Sequence, residues 1–308
     1  MSFYLGLDTS NYTTSAALYD NKSGRVISER QLLDVPDGSL GLRQSEALFL
    51  HTKRLPEIIK RLFNDFDDKI CGVGVSTRPR SQQDSYMPCF LVGELLAKSV
   101  AEILKVDYKG FSHQDGHISA AIFSSGMMEL FDQRFIAFHL SGGTTEAVLV
   151  QPDDNGFKCD VIAKSLDLKL GQAIDRVGKL LGLPFPSGRY IDELSQTVQL
   201  SNNIKVKIKG ADCCVSGVEN QCKMLLDSGE SKETVARYVI EFASKTIEKM
   251  TENLVSQYGD IPIVFAGGVS ANSIIRKNLS ERFNTYFASP ELSSDNAVGV
   301  AVLASRCL

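Results

Sequence analysis

The sequence contains no apolar run of the roughly 18 residues that a membrane-spanning helix requires. Its first residues, MSFYLGLDTS, lack the basic segment, the apolar stretch and the small-residue cleavage site of a signal peptide, and they indicate a strand instead. These two absences predict a cytoplasmic protein that makes no membrane contact.

Paired cysteines are also lacking. The chain has 7 cysteines, an odd number, and no CxxC pair. This pattern argues against a disulfide framework and against a thiolate zinc site. We therefore expect reduced, mostly buried thiols.

The chain has no excess of basic residues, since its formal net charge is −4. The overall charge therefore gives no reason to bind nucleic acid. Contact with RNA would need a local basic patch or a partner protein.

The chain length sets the domain organisation. A chain of 308 residues is too long for one ordinary core and too short for three, and 43% apolar residues suffice for two. We expect a first lobe over residues 1–131 and a second over residues 132–308, with the C-terminal helix packing back on the first lobe.

The first half predicts three antiparallel strands followed by alternating helices and strands. The segments FYLGLDTS, TTSAALYD and GRVISERQLLDV alternate apolar and polar residues between turn signals. A helix is predicted over residues 45–65, capped by Ser45 and kinked or divided at Pro56. A buried strand (KICGVGVST), a helix (LVGELLAKSVAEILK) and a short strand (DYKGFS) complete the order βββαβαβ.

The second half opens in the same way. Strands are predicted at RFIAFHLSGG, TTEAVLVQPD and FKCDVIAKSLD, followed by helices at GQAIDRVGKLLGL and ETVARYVIEFASKTIEKMTENLVSQY. A buried strand, IPIVFAGG, and a closing helix, NAVGVAVLASRC, end the chain. Two copies of the same pattern imply an internal duplication of an α/β unit.

Each copy places a small polar turn between its first two strands, LDTSNYTTSAAL in one and LSGGTTEAVL in the other. Backbone N–H groups and hydroxyls of such turns form a phosphate cradle without a lysine, as in the actin, hexokinase and Hsp70 superfamily. The duplicated pair favours nucleotide binding in an actin-like ATPase fold. We expect two RNase H-like lobes with a ligand cleft between them.

Two of the four histidines, His113 and His117, lie in SHQDGHISAAIFSS at the start of a predicted helix. Positions i and i+4 share one helix face, so the two imidazoles can chelate one divalent metal if a third ligand is supplied. A solvated or capping pair is the alternative. No glutamate follows His113 directly, so the metalloprotease pattern HExxH is not supported.

Two further segments carry candidate ligands. In SSDNAVGVAVLA the carboxylate of Asp295 is either a helix cap or an anionic metal ligand. The strand IPIVFAGGVSAN ends in Gly267 and Gly268, where the missing Cβ atoms allow close approach of a purine. An ordinary strand-to-helix turn capped by Ser270 or Asn272 is the alternative.

Taken together, HQDGH, SGGTTEAVLV, GQAIDRVGKLLGLPFPSG, VSGVE, GGVSANSIIRKNL and SDNAVGVAVLA, in this order, resemble the signature of the TsaD family. The resemblance covers nearly the whole chain. It implies an enzyme that moves the threonylcarbamoyl group from threonylcarbamoyl-adenylate to N6 of the adenosine 3′ of the anticodon in ANN-reading tRNAs. The predicted activity is therefore acyl transfer, with release of AMP.

The resemblance also implies site residues. His113, His117 and Asp295 match the metal ligands of the family. Ser141, Gly142 and Gly143 match its phosphate and threonylcarbamoyl loop, Asp175 and Gly188 the residues that hold the ribose, and Asn272 a nucleotide contact. The full predicted nucleotide-binding set is Thr9, Ser10, Ser141, Gly142, Gly143, Thr144, Asp175, Gly188, Asp192, Gly267, Gly268 and Asn272.

The implied cofactor is one divalent metal, iron or zinc with manganese also suited, acting as a Lewis acid on the acyl-adenylate. No protein nucleophile is required, so no catalytic side chain is assigned. The implied partners are tRNA, a TsaB-like paralogue and an ATPase subunit, and a homodimer is left open.

Four motifs depart from the family pattern. DTSNYTT replaces ETSCDET, TRPRSQQ replaces the glycine-rich AGPGL, and VSGVEN replaces FSGLKT. SGGTT replaces SGGHT or SGGNT, with Thr144 at the variable position. These changes indicate a divergent paralogue. The alternatives are another ATP- or acyl-adenylate-dependent transferase, such as a carbamoyltransferase, and a non-catalytic partner subunit.

Overall fold

The computed structural model describes residues 2–10, 12–34, 42–81, 85–200, 204–293 and 296–308. The chain divides into two compact units. Unit 1 comprises Met1–Asp132, Gln151–Lys158 and Glu291–Leu308, and unit 2 comprises Gln133–Val150 and Cys159–Pro290. Within the described ranges, no helix combines the length and the apolar character needed to cross a membrane.

Unit 1 contains a five-stranded sheet flanked by helices. Its strands are β1 (Ser2–Asp8), β2 (Thr13–Asp20), β3 (Val26–Leu32), β4 (Lys69–Arg78) and β5 (Asp107–Ser112). Its helices are α1 (Gln44–Leu62), α2 (Phe90–Leu104), α3 (His113–Ser125) and, at the end of the chain, α9 (Val298–Cys307). Buried side chains of β1, β4, α1 and α2, such as Leu5, Val73, Ile58 and Ala97, form one apolar core.

Unit 2 contains a second five-stranded sheet and a small hairpin. The strands of the chain's second half are β6 (Phe135–Leu140), β7 (Thr145–Asp153), β8 (Gly156–Lys164), β9 (Lys207–Lys209), β10 (Asp212–Cys214), β11 (Ile263–Ala266) and β12 (Thr285–Phe287). The helices are α4 (Leu170–Leu180), α5 (Gly188–Ser195), α6 (Gly217–Asp227), α7 (Lys232–Tyr258) and α8 (Ser273–Ser280). A large core forms between this sheet and helices α4 and α7.

The two sheets have the same topology. The first has the strand order β3-β2-β1-β4-β5, and the second, read from its other edge, has the order β8-β7-β6-β11-β12. In each, the first strand pairs antiparallel with the second and parallel with the fourth. The predicted duplication of an α/β unit is therefore confirmed.

The start of α1 differs from the prediction. Its N-cap is Arg43, not Ser45, and the helix is continuous through Pro56. The Arg43 N–H donates to Oε2 of Glu46 at 3.0 Å. Because a glutamate at the third helical position reaches back to the cap residue, Glu46 sets the start of the helix two residues before Ser45.

Several short elements were not predicted, among them α5, α6, β9, β10 and β12. Apart from α6, which has 11 residues, these elements have eight residues or fewer and are too short to show a clear period in sequence. The cysteine prediction was correct in part, because all seven thiols are free. However, only Cys89, Cys213 and Cys222 are buried and the other four are partly exposed, so the expectation that most are buried was wrong.

Candidate functional site

The turn between β6 and β7 is closed by its own polar groups. The Ser141 N–H donates to the Thr144 carbonyl at 2.8 Å, and the Thr144 N–H donates to Ser141 Oγ at 3.1 Å. Gly142 and Gly143 form the tip between them. The turn therefore has a fixed shape that does not depend on a bound ligand.

Helix α4 begins directly against this turn. A Cβ on Gly171 would lie 2.6 Å from the backbone nitrogen of Gly142, so only glycine allows the helix to approach so closely. The Leu170 N–H at the start of α4 donates to Thr145 Oγ1 at 2.9 Å. The turn and the N-terminus of an 11-residue helix thus lie side by side, and a helix N-terminus favours anionic groups.

The end of β11 lies beside the end of β6. Ala266 pairs with His139 in a parallel register, so both strands end at the same edge of the sheet. Gly267 has a φ of 96°, and a Cβ there would collide with the Leu140 carbonyl. Glycine is therefore required at this position by the backbone itself. Ligands of open α/β sheets bind at this carboxyl edge.

A cavity of about 420 Å³ opens at this edge of unit 2. Six of the residues predicted from the sequence line it: Gly142, Asp175, Gly188, Asp192, Gly268 and Asn272. Its other walls include the apolar side chains of Ile174, Pro186, Ile240 and Val269. The volume and the mainly apolar lining with a few polar groups are typical of a small-molecule site.

Three lining glycines are not required by the fold. A Cβ on Gly142, Gly188 or Gly268 would meet nothing within 4 Å, and none of the three has a positive φ. These glycines contrast with Gly171, where a Cβ would strike protein backbone. The space that the missing Cβ atoms leave therefore belongs to the cavity, as expected if a ligand approaches the backbone there.

Two carboxylates line the cavity, and in each only the Oδ1 atom accepts hydrogen bonds from the described residues. Oδ1 of Asp175 accepts the Ser187 N–H at 2.7 Å, and Oδ1 of Asp192 accepts from Asn272 Nδ2 at 2.6 Å. Within the described ranges no hydrogen bond occupies the Oδ2 atom of either side chain. Two fixed carboxylates, each with an available oxygen, can accept the hydroxyl groups of a sugar.

The side chain of Asn272 forms hydrogen bonds in two directions, to the start of α8 and to Asp192. Its Oδ1 accepts the N–H groups of Ile274 and Ile275, both at 3.1 Å, and so caps α8. Its amide group then orients Asp192. The capping alternative for this residue is present in the structure, and it coexists with a position on the cavity wall.

Sequence reasoning missed Arg189, which lines the same cavity. Its Nε donates to Oε1 of Glu193 at 2.8 Å, one turn later in α5. No motif separates this arginine from an ordinary exposed one. Only the fold of α5 against the cavity identifies it.

In unit 1, Asp8, His113 and His117 form a chain of contacts. Oδ2 of Asp8 lies 2.8 Å from Nδ1 of His113, and Nε2 of His113 lies 2.9 Å from Nε2 of His117. Ser76 Oγ donates to the same Asp8 oxygen at 2.6 Å. Sequence reasoning missed Asp8, although it directly precedes the predicted Thr9 and Ser10.

The predicted residues Thr9 and Ser10 differ in position. Thr9 is fully buried, and its hydroxyl donates to the Cys89 carbonyl at 2.9 Å and accepts the Gly93 N–H at 3.2 Å. Ser10 donates its N–H to Asp8 Oδ1 at 2.8 Å, and its Oγ lies 3.4 Å from His113 Nε2. Ser10 is therefore adjacent to the histidine pair, whereas the Thr9 hydroxyl is used inside the unit.

The pKa of Asp8 reflects this environment. Burial alone would raise the pKa of its carboxyl. The charge and hydrogen bond of His113 and the hydrogen bonds from Ser10 and Ser76 outweigh burial and lower the pKa below its usual value. Asp8 is therefore an ionised carboxylate held against His113.

The histidine pair has the donor chemistry of a metal site. The Nε2 atoms of His113 and His117 lie 2.9 Å apart, and the Nδ1 of His113 contacts a carboxylate, the usual outer partner of a metal-binding histidine. The predicted third ligand, Asp295, lies outside the described residues. Within the described ranges no three His, Cys, Asp or Glu side chains are grouped to hold a metal.

Helix α3, which carries both histidines, is fixed at two points. Ser112 Oγ accepts the Asp115 N–H at 3.1 Å, and the Asp115 carboxylate accepts the Ser112 N–H at 2.9 Å, forming a capping box. Along its length, Gly116 packs against Gly299 of α9, where a Cβ on Gly299 would collide with the Gly116 carbonyl. The histidine pair therefore lies on a helix with little freedom to shift.

Comparison with known proteins decides the family. The model of the TsaD family, described as tRNA N6-adenosine threonylcarbamoyltransferase, matches residues 40–302. The chain belongs to this family. The prediction of a TsaD-type transferase from the sequence motifs is therefore confirmed at the level of the family.

Two relatives illustrate the distance within the family. The tRNA N6-adenosine threonylcarbamoyltransferase of Archaeoglobus fulgidus is 26% identical over 302 residues, covering 96% of this chain and 88% of the relative. That of Persephonella marina is 29% identical over 317 residues, with coverages of 96% and 88%. The resemblance thus extends over nearly the full length of both proteins.

Solved structures confirm the actin-like fold. A structure of full-length HypF in the phosphate- and nucleotide-bound form has a TM-score of 0.61 at 14% identity, over 99% of this chain and 55% of that one. A glucokinase of the ROK family from Streptomyces griseus, in complex with glucose and AMPPNP, has a TM-score of 0.52 at 12% identity, over 99% of both chains. At such low identity these similarities concern the fold alone.

Proposed function

We propose that this family member transfers the threonylcarbamoyl group from threonylcarbamoyl-adenylate to N6 of the adenosine 3′ of the anticodon in tRNA. The observation that carries the proposal is the family match over residues 40–302, together with six predicted residues lining one cavity. In this reaction N6 forms a bond to the carbonyl carbon, the bond from that carbon to the phosphate oxygen breaks, and AMP leaves. N6 gives its proton to water.

The cavity of unit 2 would hold the adenylate. The available oxygens of Asp175 and Asp192 accept ribose hydroxyls, and Ile174, Ile240 and Val269 provide an apolar surface for the base. The open space at Gly142, Gly188 and Gly268 lets the ligand reach backbone N–H groups. At the α4 N-terminus, the tip of the Ser141–Thr144 turn, Gly142 and Gly143, would provide N–H groups for the phosphate. Of the other predicted positions, Gly143 lies in the turn between β6 and β7, and Gly267 lies in the turn that follows β11.

The histidine pair of unit 1 would hold the divalent metal through Nε2 of His113 and Nε2 of His117, with Asp295 as the third protein ligand. A bound iron, zinc or manganese ion supplies Lewis-acid chemistry, which stabilises negative charge on a carbonyl or phosphoryl oxygen. Asp8 holds the His113 ring in the orientation that turns Nε2 toward His117. Ser10 lies next to that nitrogen and limits where a substrate oxygen can enter.

Partner proteins and location form part of the proposal. We expect transfer to require a TsaB-like paralogue and an ATPase subunit, as the family resemblance implies. The proposed acceptor is tRNA, so we expect the protein to act in the cytoplasm. A homodimer is not needed by any step.

The test has two stages, both with the full chain. First, metal content and AMP and ATP binding are measured on the wild type, on His113→Ala and on Asp175→Asn, with His139→Gln as a control for adventitious metal binding by a histidine. We expect one metal per chain that is lost in His113→Ala alone, and nucleotide affinity that falls in Asp175→Asn.

Second, threonylcarbamoyl-adenylate, unmodified ANN-reading tRNA and the two partner subunits are supplied, and the modified nucleoside is measured by mass spectrometry. Modified adenosine in the wild type, lost in His113→Ala, supports the proposal. Nucleotide binding without any transfer to tRNA would contradict it and favour a transferase with another acceptor. If the wild type binds neither metal nor nucleotide, the result would favour a non-catalytic subunit.

A further inference from the structure

A row of lysines lies on one face of the segment that leads into the small hairpin of unit 2. From Ile204 to Lys209 the sequence alternates isoleucine or valine with lysine, as IKVKIK. Lys205, Lys207 and Lys209 are exposed, whereas Ile204, Val206 and Ile208 are partly buried and pack against the core. We call Lys205, Lys207 and Lys209 the lysine row.

The hairpin that carries Lys207 and Lys209 is held by several hydrogen bonds. Strand β10 pairs with β9 and also bridges to Ser165, and the Leu166 N–H donates to the Cys213 carbonyl at 2.9 Å. Asn253 Nδ2 of α7 donates to the Gly210 carbonyl at the hairpin tip at 2.6 Å. Lys207 and Lys209 therefore project from a fixed backbone, and Lys205 lies two residues before that strand.

The row is a local concentration of positive charge in a chain of net charge −4. No ion pair within the described ranges involves any of its three ammonium groups. Alternate residues of an extended chain are about 6.6–6.8 Å apart, which is less than the Debye length of about 8 Å at physiological salt. Asp212 lies opposite Lys209 in the hairpin, but its Oδ1 accepts the Lys164 N–H and, among the described side chains, it forms no ion pair with the row. A ligand with regularly spaced negative charges would therefore reduce the repulsion among the three lysines.

We propose that the lysine row binds the phosphate backbone of the tRNA acceptor. The inference rests on the proposed function, because tRNA is the polyanion that this function brings to the protein. Lysine is a flexible point charge suited to phosphate oxygens, and phosphate contacts position a nucleic acid without reading its sequence. This is the local basic patch that a chain without overall positive charge needs in order to bind RNA.

The hairpin is also connected to the cavity through Asp167. Its carboxylate accepts the N–H groups of Val215 and Ser216, which follow β10, at 2.8 and 3.2 Å. Asp167 is followed, three residues later, by α4, whose Gly171, Ile174 and Asp175 line the cavity. The lysine row and the nucleotide cavity thus belong to one continuous part of unit 2.

The experiment compares three full-length proteins: the wild type, the triple variant Lys205→Gln, Lys207→Gln and Lys209→Gln, and a control triple variant. The control carries Lys22→Gln, Lys60→Gln and Lys223→Gln, which remove the same charge from exposed positions elsewhere. Binding of fluorescently labelled unmodified tRNA is measured by anisotropy between 50 and 200 mM salt. AMP binding and thermal unfolding are measured on the same samples.

We expect the row variant to bind tRNA roughly tenfold more weakly or worse at low salt, and the slope of log K against log salt to fall in magnitude by about 2–3. The control variant should match the wild type, and AMP binding and unfolding should be unchanged in all three. Equal affinity and slope in the row variant, or no tRNA binding by the wild type, overturns the inference. In that case the lysines serve only to keep an exposed strand from pairing with other chains.

The transfer assay separates this inference from the proposed function. If the row variant shows full transfer with an unchanged KM for tRNA, the proposed transfer reaction is supported and tRNA binding by the lysine row is contradicted. Weaker tRNA binding by the row variant, with no transfer even by the wild type, supports the row and contradicts the proposed reaction.

Discussion

Asp8 on β1 and His113 at the start of α3 are 105 positions apart in sequence, and their side chains meet at 2.8 Å. The contact fixes the orientation of the His113 ring, because Nδ1 faces the carboxylate and Nε2 faces His117. Removing the carboxylate should therefore affect metal binding more than folding.

We predict that Asp8→Asn lowers metal affinity about 10- to 100-fold, as expected for an outer partner of a ligating histidine. Metal affinity is measured by competition with a chelating dye. Asp20→Asn is the matched control, since Asp20 is also buried in unit 1 but is held by Ser2 and Ser23. Equal affinity of Asp8→Asn and wild type would show that Asp8 has no role at the histidine pair.

The cavity glycines give a second prediction. Gly188→Ala should fold normally, because its Cβ meets no protein atom within 4 Å, but it should weaken AMP binding by filling ligand space. Gly171→Ala should instead destabilise the protein by about 1–3 kcal/mol, since its Cβ strikes the backbone of the Ser141–Gly142 turn. Thermal unfolding and calorimetry with AMP separate the two effects. Unchanged AMP affinity in Gly188→Ala would show that the ligand does not approach there.

The hydrogen bond from Asn272 to Asp192 gives a third prediction. Asn272→Asp keeps an oxygen for the N–H groups of Ile274 and Ile275 but places a carboxylate where Nδ2 now lies 2.6 Å from Asp192. We expect the cap of α8 to persist and AMP affinity to fall through displacement of Asp192. Asn272→Ala should lose the cap as well, at about 0.5–2 kcal/mol of stability. If AMP binds Asn272→Asp as tightly as wild type, Asp192 does not contact the nucleotide.

The packing of α3 on α9 gives a fourth prediction. Gly299→Ala should destabilise the protein by about 1–3 kcal/mol or more and reduce metal content, because the added Cβ forces α9 away from Gly116 between the two histidines. Gly217→Ala at the start of α6, where a Cβ meets nothing within 4 Å, is the control and should leave the unfolding temperature unchanged. If Gly299→Ala unfolds at the wild-type temperature and keeps the wild-type metal content, the contact between Gly116 and Gly299 does not fix the position of α3.

The last prediction concerns pH. Partial burial would raise the pKa of Asp167, but hydrogen bonds from the Ser216 hydroxyl and the N–H groups of Val215, Ser216 and Leu168 lower it below its ordinary 3.8. A carboxyl with a lowered pKa in the folded state stabilises the fold fully above its ordinary pKa. That contribution is lost as the pH falls from about 3.8 through the lowered value.

Asp167→Asn should therefore be less stable than wild type at pH 6–7, and the difference should shrink as the pH is lowered below about 4. Urea unfolding at several pH values measures it. Asp160→Asn, on the partly exposed strand β8, is the control for general loss of a carboxylate. A difference that is constant with pH would mean that the Asp167 charge does not matter.

The sequence by itself determined the repeated strand and helix order and the positions of most long elements. Alternation in β1–β3 and β6–β8 and the helical period of α2, α4 and α7 are local properties of neighbouring residues, so they can be read without a structure. The start of α1 was misplaced because Ser45 is a good cap by type, whereas the actual start depends on Glu46 reaching Arg43. The short strand β12 was missed because its three residues acquire strand geometry only by pairing with β11.

Only the tertiary structure decided which of the predicted residues meet. The contact of Asn272 with Asp192 spans 80 positions and that of Asp8 with His113 spans 105, and neither follows from spacing along the chain. The same holds for glycines, because Gly188 and Gly171 look alike in sequence, yet one faces open space and the other faces backbone. Motif order fixes which residues are available, but the strand order of each sheet and the close packing of helices fix which atoms come within reach of one another.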